Sequence, residues 1–443
     1  MSEDIIFTPL RLPNLELKNR VLRSSISGRI DNYDGSGTPA RIAWEVKFAK
    51  GGIGAIISAH VPVTVRGRIL PNYAFIDSDE RIPFWRSVGE AVHRHDCKYI
   101  LQISHSGRQQ DIAGIENLGR SPLSSSSKRE GFNGFTPEAM TLAQVHETIE
   151  MFAQAARRAR AAGLDGIELH AGNGYLFTQF LSSAINDRED EYGGNVENRA
   201  RLLTDVIRAV RKQVGSDFFL GVKLSIVDYH DAVTFWEGKG NTLDDGIAIA
   251  KLAEAAGADA LHVSAGSMFP HPRNPPGGFP IDVAERTYPS MMGEGVHTLR
   301  NFFLFHYRVL RPLARAMWNR TKGPIIEGIN VPEARAVKAA VKIPVMVTGG
   351  FQTASFVRGV LSDGTCDAVT IARPLMANPD LLRHWAAGRD LPDRPCTYCN
   401  KCLINVLEHP LGCYEESRYA SYDAMIREVM SFYADTDEQL VET

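Results

Sequence analysis

Eight short β-branched runs, each followed by a helical pattern, set the limits on what this chain can fold into. The runs are "RVLRSSI" (20–26), "GAIISA" (54–59), "KYILQIS" (98–104), "DGIELH" (165–170), "FFLGVKLS" (218–225), "DALHVSA" (259–265), "IPVMVTGG" (343–350) and "CDAVTIA" (366–372). Helical patterns near 38–50, 82–95, 141–162, 197–214, 244–257, 332–341, 353–361 and 378–387 fall between or after them. Such alternation implies parallel strands joined by right-handed crossovers. Eight units predict a closed α/β architecture, the (β/α)8 TIM barrel. A doubly wound open sheet is the alternative. Against it, no strand is followed by the G-x-G-x-x-G of a dinucleotide fold. "GGIGAI" (51–56) precedes a strand and reads as a helix stop.

The chain has 443 residues, which suits one large barrel (1–390) followed by a cysteine-rich C-terminal extension (391–443). The stretch 266–325 is long for a βα connection. It is read either as a lid or binding loop or as a helical excursion packed only on the barrel. The formal net charge is -3 and no basic stripe stands out, so nucleic acid is not an expected partner. "MSEDIIFTPL" has no apolar run and does not read as a secretory signal. The most apolar-looking stretch, "HTLRNFFLFHYRVLRPLARAMW" (297–318), carries four arginines and is too charged to span a bilayer. A soluble, cytoplasmic protein is expected. In a reducing compartment, clustered cysteines favour metal binding or catalysis over disulfides.

In a barrel the chemistry collects at the C-terminal ends of the strands. The third strand ends in "QISHSGRQ" (102–109), the fourth in "HAGNGYL" (170–176), and the fifth contains Lys223. The seventh runs into Gly349-Gly350 and the eighth into "IARPLMANPDL" (371–381). A double glycine lets backbone approach a ligand, and loops seven and eight form the usual phosphate site of this fold. With Arg373 as a positive fork, they point to a phosphorylated ligand. His170, Asn173 and Tyr175 fall within six residues of one strand end. An imidazole and an amide can both donate to one oxygen, and a tyrosine holds a proton at neutral pH that it can give up as a general acid. That set suits a carbonyl that gathers negative charge as it is reduced.

Four of the six cysteines sit in "CTYCNKCLINVLEHPLGC" (396–413), spaced C-x2-C-x2-C-x10-C at Cys396, Cys399, Cys402 and Cys413. Soft thiolates suit an iron–sulfur cluster or zinc. Three within seven residues can wrap one face of a [4Fe–4S] cube, whereas zinc ribbons more often use two separated knuckles. A vestigial thiol site and a disulfide are the remaining alternatives. Cys97 and Cys366 lie on strand approaches and read as packing residues.

The chain resembles the old yellow enzyme family of FMN-dependent oxidoreductases. The likeness runs from about residue 5 to 390. It is carried by "LKNRVLRSSIS" (17–27), "QISHSGR" (102–108), "HAGNGYLFTQFLSSAINDREDEYGGNVENRARLL" (170–203), "GVKLS" (221–225), "VTGGF" (347–351) and "IARPLMANPDL" (371–381). The resemblance implies an FMN-binding barrel in which His170 and Asn173 grip a substrate carbonyl and Tyr175 is the proton donor. It implies that Gln102 binds the flavin pyrimidine edge and that Lys223 stands beside N1 and O2, where the family more often has arginine. Ser24, Ser25, Ile26 and Ala59 match backbone contacts around the ring, and Ser27 lies near flavin O4. Gly349, Gly350, Ala372 and Arg373 match the phosphate site. "CTYCNKC" resembles the C-x-G-C-N-x-C of the 2,4-dienoyl-CoA reductase and trimethylamine dehydrogenase branch, which implies [4Fe–4S], with zinc as the alternative. Relatives in that branch continue into a nucleotide-binding domain, whereas this chain reaches Thr443 without one.

The expected activity is an NAD(P)H-dependent ene-reductase acting on a small-molecule substrate, an α,β-unsaturated carbonyl compound. The alternative is an iron–sulfur flavoprotein dehydrogenase or demethylase that feeds a separate electron-transfer partner. A non-catalytic redox sensor is a third reading, and it has no need of the His170, Asn173, Tyr175 set. The resemblance implies a homo-oligomer. Tyr288, Met291 and Met292 in the insertion hint at a bulky apolar substrate.

Overall fold

The computed structural model describes residues 4–439 except 111, 113–118, 233–236 and 292–294, with the backbone alone at 290, 291 and 434–439. Eight parallel strands close on themselves: β1 (Val21–Arg23), β2 (Ala55–Ile57), β3 (Lys98–Ser104), β4 (Gly166–Ala171), β5 (Phe219–Ser225), β6 (Ala260–Ser264), β7 (Val345–Thr348) and β8 (Ala368–Ile371). Each pairs with its neighbour, and β8 returns to β1 with Val369 opposite Val21. The expected (β/α)8 barrel is therefore the fold. The strands are shorter than their apolar runs. β1 stops at Arg23 because Ser24 makes one last bond to Ile371 (2.9 Å) before the chain turns into the barrel mouth.

Side chains alternate across a strand, so every second residue points into the barrel. The interior is layered accordingly. Leu22, Ile57, Ile100, Phe219, Ala260, Met346 and Ala368 form an apolar floor. An antiparallel hairpin (Leu10–Leu12 with Leu15–Leu17) plugs it from below. One step up, the inward positions turn polar: Gln102, Glu168, His262 and Thr370, all fully buried. A further step brings His170 and Lys223 to the mouth, side by side in register.

Outer helices begin where the sequence supplies caps. Thr141 and Gln144 form a reciprocal capping box for Leu142–Ala161, and Thr242 with Asp245 does so for Leu243–Ala256. That second helix stops at Gly257, whose φ of 112° is a left-handed C-cap. The insertion is helical, and it packs against more than the barrel. Helices Ile281–Thr287, Thr298–His306 and Arg311–Lys322 form an excursion. Phe279 packs between Phe305 and Trp318, with centroids at 5.2 and 5.0 Å, and also faces the cavity at the barrel mouth. The C-terminal helix Tyr422–Gln439 lies on Pro39–Lys50, with Phe432 edge-on to Trp44 at 5.2 Å. Cys97 and Cys366 are buried packing residues, as read from sequence. Among the described residues no helix is long and apolar enough to cross a membrane.

Candidate active site

A cavity opens at the C-terminal ends of the strands. Ser24, Ser25, Ile26 and Ser27 line it after β1, with His170, Asn173 and Tyr175 at the end of β4, Lys223 on β5, and Ala372 and Arg373 after β8. Residues scattered over 350 positions thus line one cavity. Four anticipated residues stand back from it. Gln102 lies in the layer below. Ala59 borders a small neighbouring void with His60. Gly350 accepts at its carbonyl from the Tyr398 hydroxyl, and Gly349 accepts from the Gly328 amide.

A sharp turn delivers the catalytic candidates. Asn173 and Gly174 are both left-handed, with φ of 62° and 82°. A Cβ on residue 174 would strike the Ser267 carbonyl and come within 2.5 Å of Met268 Cα, so only glycine fits. The turn is held by Ser225, whose hydroxyl accepts from the Asn173 amide (3.0 Å) and donates to Gly266 (2.7 Å). It brings Tyr175 back onto His170, with ring centroids 4.9 Å apart.

Burial fixes the protonation of this group. His170 is held well below its usual value by burial and by the charge of Lys223, so it is neutral. Its Nδ1 is buried without a hydrogen-bond partner. Burial, with Tyr73 nearby, pushes the Tyr175 hydroxyl well above 10, so it keeps its proton. Burial also lowers Lys223, and the Glu168 carboxylate opposes that by favouring the charged ammonium.

Several residues here were not singled out from sequence. His60 Nε2 bonds the Gly67 carbonyl at 2.9 Å. Its ring packs near Tyr73, Tyr175 and His170 at 5.7, 5.6 and 6.2 Å. The signal was a histidine directly after the second strand run. Glu168 and His262 share the inward face of their strands with site residues, so their parity in the strand was the signal. The C-terminal extension contributes a wall: Cys402, Leu403, Ile404, Val406, Leu407 and Leu411 all line the cavity. No local pattern announced that. Of the insertion residues, Tyr288 lines the cavity, its hydroxyl accepting from Asn301 at 2.8 Å. The Met291 side chain and Met292 lie outside the described residues.

Arg373 joins the anticipated phosphate end to the cysteine segment. Its guanidinium donates to the Asn400 side chain and stacks 5.2 Å from the Tyr398 ring centre. Asn400 in turn donates to the carbonyls of Pro275 (3.2 Å) and Gly278 (2.9 Å) in the insertion. Gln352 and the Cys396 backbone exchange two bonds, at 3.0 and 3.2 Å. The four clustered cysteines are free and half-buried. Burial raises Cys396 to about 11 and Cys402 higher still, against the pull of Arg373; Cys402 feels the other three thiols and Cys396 feels Cys399 and Cys413. Cys413 Sγ accepts from Arg418 at 3.0 Å. Among the described residues no group of three or more His, Cys, Asp or Glu is arranged to hold a metal ion.

Comparison with known proteins identifies the family. The family described as NADH:flavin oxidoreductase / NADH oxidase matches residues 5–273. An NADH oxidase of Thermoanaerobacter brockii is 30% identical over 94% of this chain. The chain belongs to the NADH:flavin oxidoreductase / NADH oxidase family. It spans 58% of the Thermoanaerobacter protein's length. An NADPH dehydrogenase of Geobacillus sp. (strain WCH70) is 30% identical over 88% of this chain and 95% of its own length. A dihydrouridine synthase (Dus) family also matches, over residues 314–438. Among solved structures, a 2-naphthoyl-CoA reductase in complex with 2-naphthoyl-CoA superposes with a TM-score of 0.74, at 22% identity, over 93% of this chain and 56% of that one. That likeness bears on the fold alone.

The residues present fit the FMN of this NAD(P)H:flavin oxidoreductase family. The cavity carries cations on two sides, Lys223 and Arg373. The Gln102 Oε1 beneath it is a buried acceptor without a partner. Ser24–Ser27 present backbone and hydroxyl groups at one edge. A flat, polar-edged, anionic-tailed ligand meets a complementary group on each of these sides.

Proposed function

We propose that the chain reduces the activated C=C bond of an α,β-unsaturated carbonyl compound with electrons from NAD(P)H. When bound, FMN supplies the two-electron carrier between the two substrates. The observation that carries the reading is the convergence of neutral His170, Asn173 and protonated Tyr175 on one cavity wall. His170 and Asn173 donate to the carbonyl oxygen and stabilise charge as it builds there. Tyr175 holds the proton that goes to the α-carbon. Lys223 holds a positive charge at the barrel mouth, and Ser24–Ser27, Ala372 and Arg373 hold the cofactor. The apolar wall from Phe269, Tyr288 and Leu403–Leu411 excludes water and favours a bulky apolar substrate.

Tyr175→Phe tests this directly. Bleaching of the flavin by NAD(P)H should persist, while enone reduction falls about 100-fold or more, the usual weight of a general acid. If both half-reactions persist unchanged, Tyr175 is not the donor and the reading fails.

A second reading is favoured by the cysteine segment, which packs against Arg373 and Gly350. In it, Cys396, Cys399, Cys402 and Cys413 hold a [4Fe–4S] cluster, and electrons pass to a separate acceptor protein. Four soft donors suit that group, with zinc as the alternative. Binding would reverse the burial-raised thiol values, because a metal takes thiolates. Iron, zinc and acid-labile sulfide per FMN on protein purified without oxygen decide it. About four irons and four sulfides support the cluster, and their absence leaves a self-contained ene-reductase.

A further inference from the structure

Beneath the cavity runs a buried chain of hydrogen bonds that the proposed reaction does not use. Thr370 Oγ1 lies 2.7 Å from His262 Nε2, and His262 Nδ1 lies 2.8 Å from Glu168 Oε2. Glu168 Oε1 accepts from Gln102 Nε2 at 2.7 Å. All four residues are fully buried. Hydroxyl, imidazole and carboxylate follow the order of a hydrolytic triad. Here the hydroxyl is sealed inside the barrel, one layer below the cavity, so it serves no nucleophilic step.

The direction of each bond can be worked out. Burial alone would raise the Glu168 carboxyl. The electrostatic pull of His262 and its hydrogen bond, with the charge of Lys223 and the hydrogen bond from Gln102, outweigh burial and hold it below its usual value. Burial keeps His262 neutral. An ionised carboxylate only accepts hydrogen bonds. His262 must therefore carry its proton on Nδ1, which leaves Nε2 bare to accept from Thr370. The other acceptor near that hydroxyl, the Val347 carbonyl, is 3.5 Å away. By the same rule Gln102 must turn its NH2 toward Glu168. Its Oε1, which has no partner, is then presented as an acceptor. An unconstrained glutamine could offer either end.

We infer that Thr370, His262 and Glu168 are positioning residues that lock the Gln102 amide with its oxygen free for the N3–H of the flavin pyrimidine, and that Glu168 places a negative charge behind Lys223. The inference rests on the FMN reading above. It explains why a barrel interior that is apolar one layer lower becomes polar here. A buried polar network is tolerated only when every member is paired, and in this network the atom left without a partner is Gln102 Oε1. Glu168 stands opposite Gly221, one inward step below Lys223, and its charge favours the ammonium from behind.

The experiment compares FMN with 3-methyl-FMN, which lacks the N3 proton. Both are bound to the wild type, Glu168→Gln and Thr370→Val, with affinity read by flavin fluorescence and midpoint potential by spectroelectrochemistry. The wild type should bind 3-methyl-FMN about tenfold more weakly, the loss of one buried hydrogen bond. In Glu168→Gln the residue at 168 can donate as well as accept, so the Gln102 amide is free to flip. The discrimination should shrink below about threefold, and the FMN potential should rise as the negative charge behind Lys223 is lost. Thr370→Val keeps its shape and should give a smaller shift of the same sign, which carries the test if Glu168→Gln does not fold. Variants that bind FMN with full discrimination and unchanged potential overturn the inference. Wild-type protein that binds FMN with no discrimination overturns the inference while sparing the FMN reading. Failure to bind FMN at all sinks that reading itself.

Discussion

His170 and Tyr175 meet edge to face, with ring centroids 4.9 Å apart and planes inclined by 68°. Burial shifts the two in opposite directions. It holds the imidazole well below its usual value and the phenol well above. Both shifts favour the uncharged form, because desolvation penalises charge. The pair is neutral across the physiological range. Enone reduction should therefore show no ionisation from either group between about pH 6 and about pH 9. A kcat/KM profile at saturating reductant checks this. A limb near pH 6.5 that disappears in His170→Asn would contradict it.

Buried neutral histidines make the fold acid-sensitive. Burial lowers His60 and His105 to about 3 and His271 to about 4. In the unfolded chain each returns to about 6.5. Between those values the unfolded state binds more protons, so stability is fully present above about pH 6.5 and is lost as pH falls toward the folded values. At pH 5 each such histidine costs about 2 kcal/mol. The urea midpoint should drop clearly between pH 7 and pH 5, and His105→Gln should blunt the drop. An unchanged midpoint would mean that these rings are solvated.

The turn at Gly174 predicts a sensitive point. Gly174→Ala forces a Cβ into the Ser267 and Met268 backbone while φ stays at 82°. The cost should be about 2–4 kcal/mol, with Tyr175 displaced from His170. Thermal denaturation should show the loss. Enone reduction should fall further than flavin reduction by NAD(P)H, because the flavin-side residues lie on other strands. Equal losses in both would place the defect elsewhere.

Asn400 ties the cysteine segment to the barrel through Arg373 and to the insertion through two carbonyls. Asn400→Ala should loosen the segment. Ellman labelling of Cys396 and Cys402 should speed up about tenfold, corresponding to about 1.4 kcal/mol of lost anchoring. Cys97, buried at the N-terminal end of β3, serves as the internal reference, and its rate should not move. Uniform acceleration of all thiols would indicate global destabilisation instead.

Much of this protein was legible in its sequence. Strand runs and helix patterns repeat locally with their own periods, so the eight units and the barrel followed from counting. The His170, Asn173 and Tyr175 cluster was legible because its members are neighbours in the chain. Glu168, two residues before His170 on the same strand face, carried that signal in its parity but was not singled out. Three things needed the tertiary structure. The chain Thr370–His262–Glu168–Gln102 joins four strands, and only barrel closure brings β3, β4, β6 and β8 close enough to bond. The meeting of Arg373 with Asn400 depends on how the C-terminal segment folds back, and "CTYCNKC" carries no local signal of that path. The protonation of His170, Tyr175 and the buried thiols was decided by desolvation, which is a property of everything packed around a group. Local periodicity is written in consecutive residues. Burial and long-range pairing are not, and they set the chemistry of this site.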